Sequence, residues 1–200
     1  MFVLFLSVTG LLAFTIGTWI LGMWLRLSPS TINAEKASRI MHSLFYAGLV
    51  TPTLIILLYP ELMQLDGLVG FKPLPVQSFF RIVGLIVALP GLYLLGISNR
   101  LLRALGNGAN TFRLTKKFVK TNVYQRTRNP MSLGYYLFAL GLSLISGSTL
   151  VTLAILLGLI PAHIFFLKYF EEHELELRFG EIYRQYMREV PFLFPKFSAE

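Results

Sequence analysis

Apolar and polar residues alternate along this chain in long blocks. Residues 1–25 carry no charged side chain, and apolar runs return at 41–59, 79–98, 131–145 and 149–170. Between them lie polar segments at 26–39, 60–78 and 99–128. A helix needs about 20 apolar residues to cross a hydrocarbon layer about 30 Å thick, so the blocks predict an all-α integral membrane protein with five transmembrane helices. The first block lacks the basic leader and short core of a secretory signal, and reads as a span. Ser28-Pro29-Ser30 breaks the chain after it. Pro52 softens the second run, and Pro90-Gly91 sits inside the third, where neighbouring helices can satisfy freed backbone groups. Ser146-Gly147-Ser148 leaves room only for a tight helical hairpin between the last two runs.

The final run overshoots. Its helical pattern continues from 149 to 179 with a possible kink at Pro161. At 1.5 Å per residue this is roughly 45 Å, longer than the membrane core, so the helix should project from about Lys168 onward. The projection carries "EEHELELRFG", and Gly180 is placed to stop it. A second short helix, "EIYRQYMREV", should bury Ile182, Tyr183, Tyr186 and Val190 before Pro191 ends it. Glu172 shares a helix face with Leu175 and Phe179, and Glu171 flanks that seam. A carboxylate on a packed face needs a partner or a ligand. Lys168, one turn earlier, is the simple pairing alternative. Glu174, Glu176 and Glu181 read as a solvated face.

Composition agrees with a lipid environment. The chain is 54% hydrophobic and 14% charged, with a mean hydropathy of +0.63, whereas soluble domains are about a quarter charged. The net charge of +8 on so apolar a chain reads as a positive-inside bias toward membrane lipids, not as a nucleic-acid surface. Segment 99–128 holds Arg100, Arg103, Arg113, Lys116, Lys117, Lys120, Arg126 and Arg128 and no acid. It is expected in the cytoplasm, with the N-terminus outside and the C-terminus inside. The lysines of "RLTKKFVK" should meet lipid headgroups, and "GNGAN" at 106–110 reads as a flexible turn because it lacks the Lys-Ser/Thr of a phosphate loop. There is no cysteine, which excludes disulfides, thiolate metal sites and cysteine nucleophiles. His42, His163 and His173 have no metal-ligand spacing, so no metal is expected.

The chemically suggestive stretch is "YQRTRNPMSLGYY", 124–136. Asn129-Pro130 is a helix start, with an N-cap residue followed by proline at the first helical position. A helix start is also an anion site, and Arg126 and Arg128 flank this one. Gly134, one turn inside, fits either close helix packing or close approach of a ligand.

Residues 119–195 resemble the isoprenylcysteine carboxyl methyltransferase family and its prokaryotic relatives, a wider group that includes phospholipid N-methyltransferases. Tyr124, Arg128, Pro130 and Gly134 match the first half of the pattern. Glu171, Glu172, Leu175, Phe179, Gly180, Tyr183, Tyr186, Val190 and Pro191 match the second. Asn122 stands where relatives have glycine, Asn129 where they have histidine, and Ser132 where they have tyrosine. Phe192 follows Val-Pro where arginine is common. The resemblance implies a membrane region at 1–118 and a methyltransferase-like region at 119–200, whose C-terminal helices form a cytoplasmic cofactor pocket. It implies S-adenosylmethionine as methyl donor and S-adenosylhomocysteine as product. The cofactor would be held by Tyr124, Arg128, Asn129, Pro130, Leu133, Gly134, Glu171, Glu172, Tyr183 and Tyr186, with Arg128, Asn129 and Glu172 in the catalytic role. The acceptor would be a lipophilic or lipidated molecule entering from the bilayer, a carboxylate in preference to a phospholipid amine, since Asn129 cannot titrate near neutral pH. Membrane sterol reductases that use NADPH also resemble this region, and a non-catalytic membrane module is a further alternative.

Overall fold

The computed structural model describes residues 2–58, 62–106 and 115–196. All regular structure among them is helical. The main elements are α1 (Phe2–Leu27), α2 (31–58), α3 (Leu62–Leu68), α4 (Gln77–Leu105), α5 (Val123–Arg126), α6 (Pro130–Ser146), α7 (Thr149–Phe179) and α8 (Glu181–Glu189). Three of them, α1, α4 and α7, are long and apolar enough to cross a membrane. Helix α6 is apolar but shorter, and α2 opens with a polar half.

The core lies between α1, α2, α6 and α7, where Phe14, Leu25, Ala37, Met41, Leu133, Tyr136, Leu159 and Phe170 are buried together. The outer faces of α1 and α4 expose Phe5, Leu12, Ile16, Trp19, Ile82, Ile86 and Leu89. An apolar surface of this extent suits lipid, since water would make it an aggregation site. Helices α4 and α6 run antiparallel with their backbones in contact. A Cβ added to Gly84 would meet the Gly141 carbonyl oxygen at 2.6 Å, and one added to Gly91 would meet the Phe138 nitrogen at 2.5 Å. Gly134 faces the Gly91 oxygen and the Leu95 nitrogen, each 2.8 Å from its would-be Cβ. Of the two uses open to Gly134, helix packing is the one its surroundings fill.

Three polar segments are more ordered than their composition suggests. Residues 26–39 are not one loop: after the break at Ser28–Ser30 the chain is helical from Thr31. Ser30 caps this helix by accepting from the Asn33 N–H at 3.1 Å, and Ala34, Ala37, Ser38 and Met41 are buried along one side. Segment 60–78 contains α3, whose Asp66 is fully buried. Asp66 accepts from Ser148 Oγ at 2.9 Å, from Thr149 N at 3.1 Å and from Leu150 N at 2.7 Å. It therefore caps α7 from outside that helix. Helix α4 continues to Leu105, into the segment expected to be a loop. Most of "GNGAN", at 107–110, and Arg113 lie outside the described residues.

The hairpin between α6 and α7 is as tight as expected, with Gly147 at φ 76° and Ser148 capping α7 by accepting from Val151 N. Helix α7 runs unbroken to Phe179 through two π-turns, Ala154–Leu159 just before Pro161, and Leu167–Glu171. A π-turn adds one residue to the helix, and such turns are frequent at functional sites.

Candidate active site

The end of α7, the start of α6 and helix α8 converge around α5. Asn122 precedes α5 with φ 57° and ψ −123°, a backbone region that favours glycine. The chain then straightens at Thr127 and enters α6 at Pro130.

A C-terminal strap, 190–196, lies across this junction. Arg128 N donates to Pro191 O at 2.9 Å, and Lys196 N to Arg126 O at 3.0 Å. The Thr127 hydroxyl donates to Leu193 O at 2.9 Å. Asn129 holds the N-cap position of α6, but its side chain caps nothing. The Asn129 amide instead donates to Phe192 O at 2.9 Å. The strap occupies the group that local sequence assigns to the helix start, so the α6 N-terminus has no side-chain cap.

Arg128 and Glu172 meet at the centre. Arg128 Nη2 lies 2.7 Å from Glu172 Oε1, with the two side chains 9% and 16% exposed. Arg128 Nη1 donates to Met187 O at 3.0 Å, while Arg128 Nε is buried with no hydrogen-bond partner among the described residues. Lys168 approaches the other Glu172 oxygen at 3.2 Å, and its ammonium lies 3.9 Å above the Phe192 ring. Glu172 thus has both the long-range partner and the local one. Glu171 has neither: no ion pair or hydrogen bond holds its half-buried carboxylate among the described residues. Burial and the like charges of Glu174 and Glu172 push its carboxyl up to about 8.

Aromatic rings from α8 wall the site. Tyr183, Tyr186 and Val190 are buried against Phe118, Leu175, Phe179 and Met187. Phe118 packs edge-on to Tyr186 at 4.9 Å and to Tyr183 at 6.0 Å. The Tyr186 hydroxyl donates to Tyr124 O at 2.6 Å. Burial pushes the phenols of Tyr124, Tyr183 and Tyr186 well above the ordinary tyrosine range, and the Glu171 and Glu172 charges add to the effect at Tyr183. These hydroxyls are neutral at physiological pH and serve as hydrogen-bond donors. Ser98 of α4 is fully buried beside the Tyr124 phenol, yet its hydroxyl makes no bond of ordinary geometry.

Two expectations need correction. Glu174 is not solvated but 2% exposed, paired with Arg178 at 2.8 Å, and Arg178 also donates to Thr115 O. The reason is the helical start of α2, which packs on the projecting end of α7 and brings Glu35 and Ser38 toward Glu174. Ile182 is 64% exposed, because α8 turns the Tyr183–Tyr186–Val190 face inward and Ile182 lies off that face. Of the predicted site residues, Tyr124, Arg128, Asn129, Glu171, Glu172, Tyr183 and Tyr186 surround the α5–α6 junction. Pro130 and Leu133 are buried in the first turn of α6, and Gly134 packs on α4. Sequence reading missed Phe118, Thr127, Ser98 and the Phe192 carbonyl. Ser98 alone left a trace, since Gly84, Ala88, Gly91 and Ser98 form one small-residue stripe on α4.

His163 is packed rather than ligating, with Nδ1 2.9 Å from the Tyr136 hydroxyl and the ring stacked on Phe45. No cluster of metal-binding side chains occurs among the described residues.

A helix start beside an arginine, an unpartnered carboxylate and a wall of neutral phenols suits a ligand with both a carboxylate and an ammonium. The arrangement is built at the end of apolar helices, at the level where a membrane helix meets water. Residues 79–182 match the model of the phospholipid methyltransferase family, just over half the chain, and the protein belongs to that family. The match is to the wider group and does not single out the isoprenylcysteine carboxyl branch. It takes in Tyr124 through Glu172 and stops before Tyr183. No curated protein and no solved structure matches the chain.

Proposed function

We propose that the protein transfers a methyl group from S-adenosylmethionine to a lipidic acceptor at the cytoplasmic face, with five spans, the N-terminus outside and the strap covering the site. The observation that carries this is the pairing of opposites around one junction. Arg128, with its unpartnered Nε, is suited to a carboxylate, and Glu171, with no partner, is suited to an ammonium. The buried orphans Arg128 Nε and Ser98 Oγ are the positions a polar ligand would satisfy. The bound cofactor supplies a methyl carbon already activated by a sulfonium. Arg128 and the uncapped start of α6 would hold the methionine carboxylate, Glu171 the amino group, and Tyr124, Tyr183 and Tyr186 the remaining walls. Glu172 orients Arg128. Helix α8 and the strap exclude water, and positioning supplies most of the rate.

Of the two acceptor chemistries, a carboxylate of isoprenylcysteine type fits the junction. Asn129 cannot titrate, and its amide is engaged by Phe192 O, so nothing at the α6 start takes up a proton. The second reading is a phospholipid amine. The family match favours it, and Glu171 would then accept the proton.

Purified protein incubated with methyl-labelled S-adenosylmethionine and a membrane lipid extract tests both. Label entering the lipid phase and released by alkali as volatile methanol is expected, since a methyl ester is hydrolysed to methanol. Label that stays non-volatile after alkali would establish the amine, and no transfer to any lipid would remove the reading altogether.

A further inference from the structure

Helix α1 lies wholly outside the family match, yet its last turn touches the turn of α7 that carries the acidic pair. Arg26 Nη1 donates to Gly22 O at 2.7 Å, and Arg26 Nη2 donates to Tyr169 O at 2.7 Å. Tyr169 is the middle residue of the π-turn Leu167–Glu171. Its ring is clamped as well. The Arg26 guanidinium lies 4.0 Å from the ring centroid, and Phe165 stacks on it at 5.1 Å. Gly22 leaves the space: a Cβ there would lie 2.6 Å from Tyr169 Cε1. The positive-inside bias explains a cation at this end of α1 but not a guanidinium bridging carbonyls of two helices.

The extra residue of a π-turn rotates the next turn of helix by about 100° relative to an unbroken α-helix. Glu171 closes this π-turn and Glu172 comes directly after it. The register of the turn therefore decides whether Glu172 reaches Arg128 and where Glu171 points. We infer that Arg26 is a positioning residue: by holding the Tyr169 carbonyl it fixes the π-turn that aims Glu171 and Glu172 into the active site. It acts through α7 and touches no ligand. The inference rests on the proposed cofactor site for its effect on binding, but not for its effect on the turn.

Arg26→Ala and Gly22→Ala test it, the second displacing the Tyr169 ring without changing charge. Asp66→Asn is the control, because it weakens the opposite end of α7 and leaves Arg26 in place. The expected result is faster amide exchange across 169–174 in the unliganded protein, and at least tenfold weaker S-adenosylhomocysteine binding by calorimetry, in both test variants and not in the control. Unchanged exchange in the turn overturns the inference. So does affinity within twofold of wild type, or an equal loss in Asp66→Asn. If the wild type binds no S-adenosylhomocysteine, the proposed function fails by itself, and the exchange measurement alone decides the role of Arg26.

Discussion

Replacing Glu171 and Glu172 separately by glutamine distinguishes a ligand-facing carboxylate from a structural one. Glu172 is bonded to Arg128 at 2.7 Å and to Lys168 at 3.2 Å. Removing one partner of a fully buried pair destabilises by about 3–5 kcal/mol. Here both side chains keep some exposure and glutamine retains one acceptor oxygen, so Glu172→Gln should lose about 2 kcal/mol of stability. Glu171 has no such partner, and the like charges of Glu172 and Glu174 lie close to it. Glu171→Gln should leave the unliganded protein as stable as wild type, or slightly more so. Its effect appears on binding. A charge-assisted hydrogen bond to an ammonium contributes about 1.5–3 kcal/mol, roughly 10- to 150-fold in Kd. Thermal unfolding of the detergent-solubilised protein measures the first quantity, and calorimetric titration with S-adenosylhomocysteine the second. If Glu171→Gln destabilises the free protein as much as Glu172→Gln, or leaves affinity within twofold, the division of roles is wrong.

Asp66→Ala should destabilise by about 3 kcal/mol, because three donors of the α7 start lose a buried carboxylate at once; chemical denaturation measures it, and a change below about 1 kcal/mol would contradict the cap. Gly91→Leu should part α4 from α6 and lower the yield of folded protein, since even a Cβ meets the Phe138 nitrogen at 2.5 Å. Gly96→Leu is the control, as nothing lies within 4 Å of a Cβ there. Asn122→Gly should raise stability by about 0.5–1 kcal/mol by relieving the positive φ, and a lower melting temperature would refute the strain. The carboxyls of Glu181 and Glu189 are held below the ordinary range, Glu181 by Arg184 and Arg188, and Glu189 by Lys120 and Gln185. Their contribution is complete above the unfolded value of about 4.3 and disappears as pH falls through the lower folded value. Amide exchange of α8, corrected for intrinsic rates, should therefore not rise as pH falls from 8 to 5 and should rise only below about pH 4. A rise between pH 6 and 8 would assign the anchoring to other groups.

The apolar blocks were legible because lipid imposes a length and a composition on every helix that faces it, and the ends of α6 and α7 fall within a few residues of the expected positions. The polar segments were harder for the opposite reason. Thr31–Arg39 has helix-compatible residues but too few large apolar ones to announce a buried face, and its partner is the end of α7, more than a hundred positions away. That same contact buries Glu174, which alone on a helix wheel has every sign of a solvated acid. In the site, residue types were readable and pairings were not. Arg128 and Glu172 each read as a candidate, but their ion pair depends on how α5 enters α6. Asn129 carried a correct signal for the start of α6 and a misleading one for its own side chain, because capping preferences describe a local competition that the Phe192 carbonyl wins.

That last displacement bears on the departure at position 129 from the pattern the chain resembles. A histidine at position 129 could donate one ring N–H to the strap carbonyl and still titrate through the other nitrogen. Asparagine keeps the first function through its amide and gives up the second. The strap is then held by Thr127, Arg128 and Asn129 together, whatever the acceptor. What differs is where a proton can go. Under the proposed function, with no titrating group at the α6 start, either the acceptor would arrive deprotonated or Glu171 would receive the proton. Arg128 and Lys168 surround Glu172 and leave Glu171 free, so the substitution at 129 and the unpaired state of Glu171 belong to one chemical question. On the proposed reading, the charge of the acceptor decides whether Glu171 would serve the cofactor alone or the reaction as well.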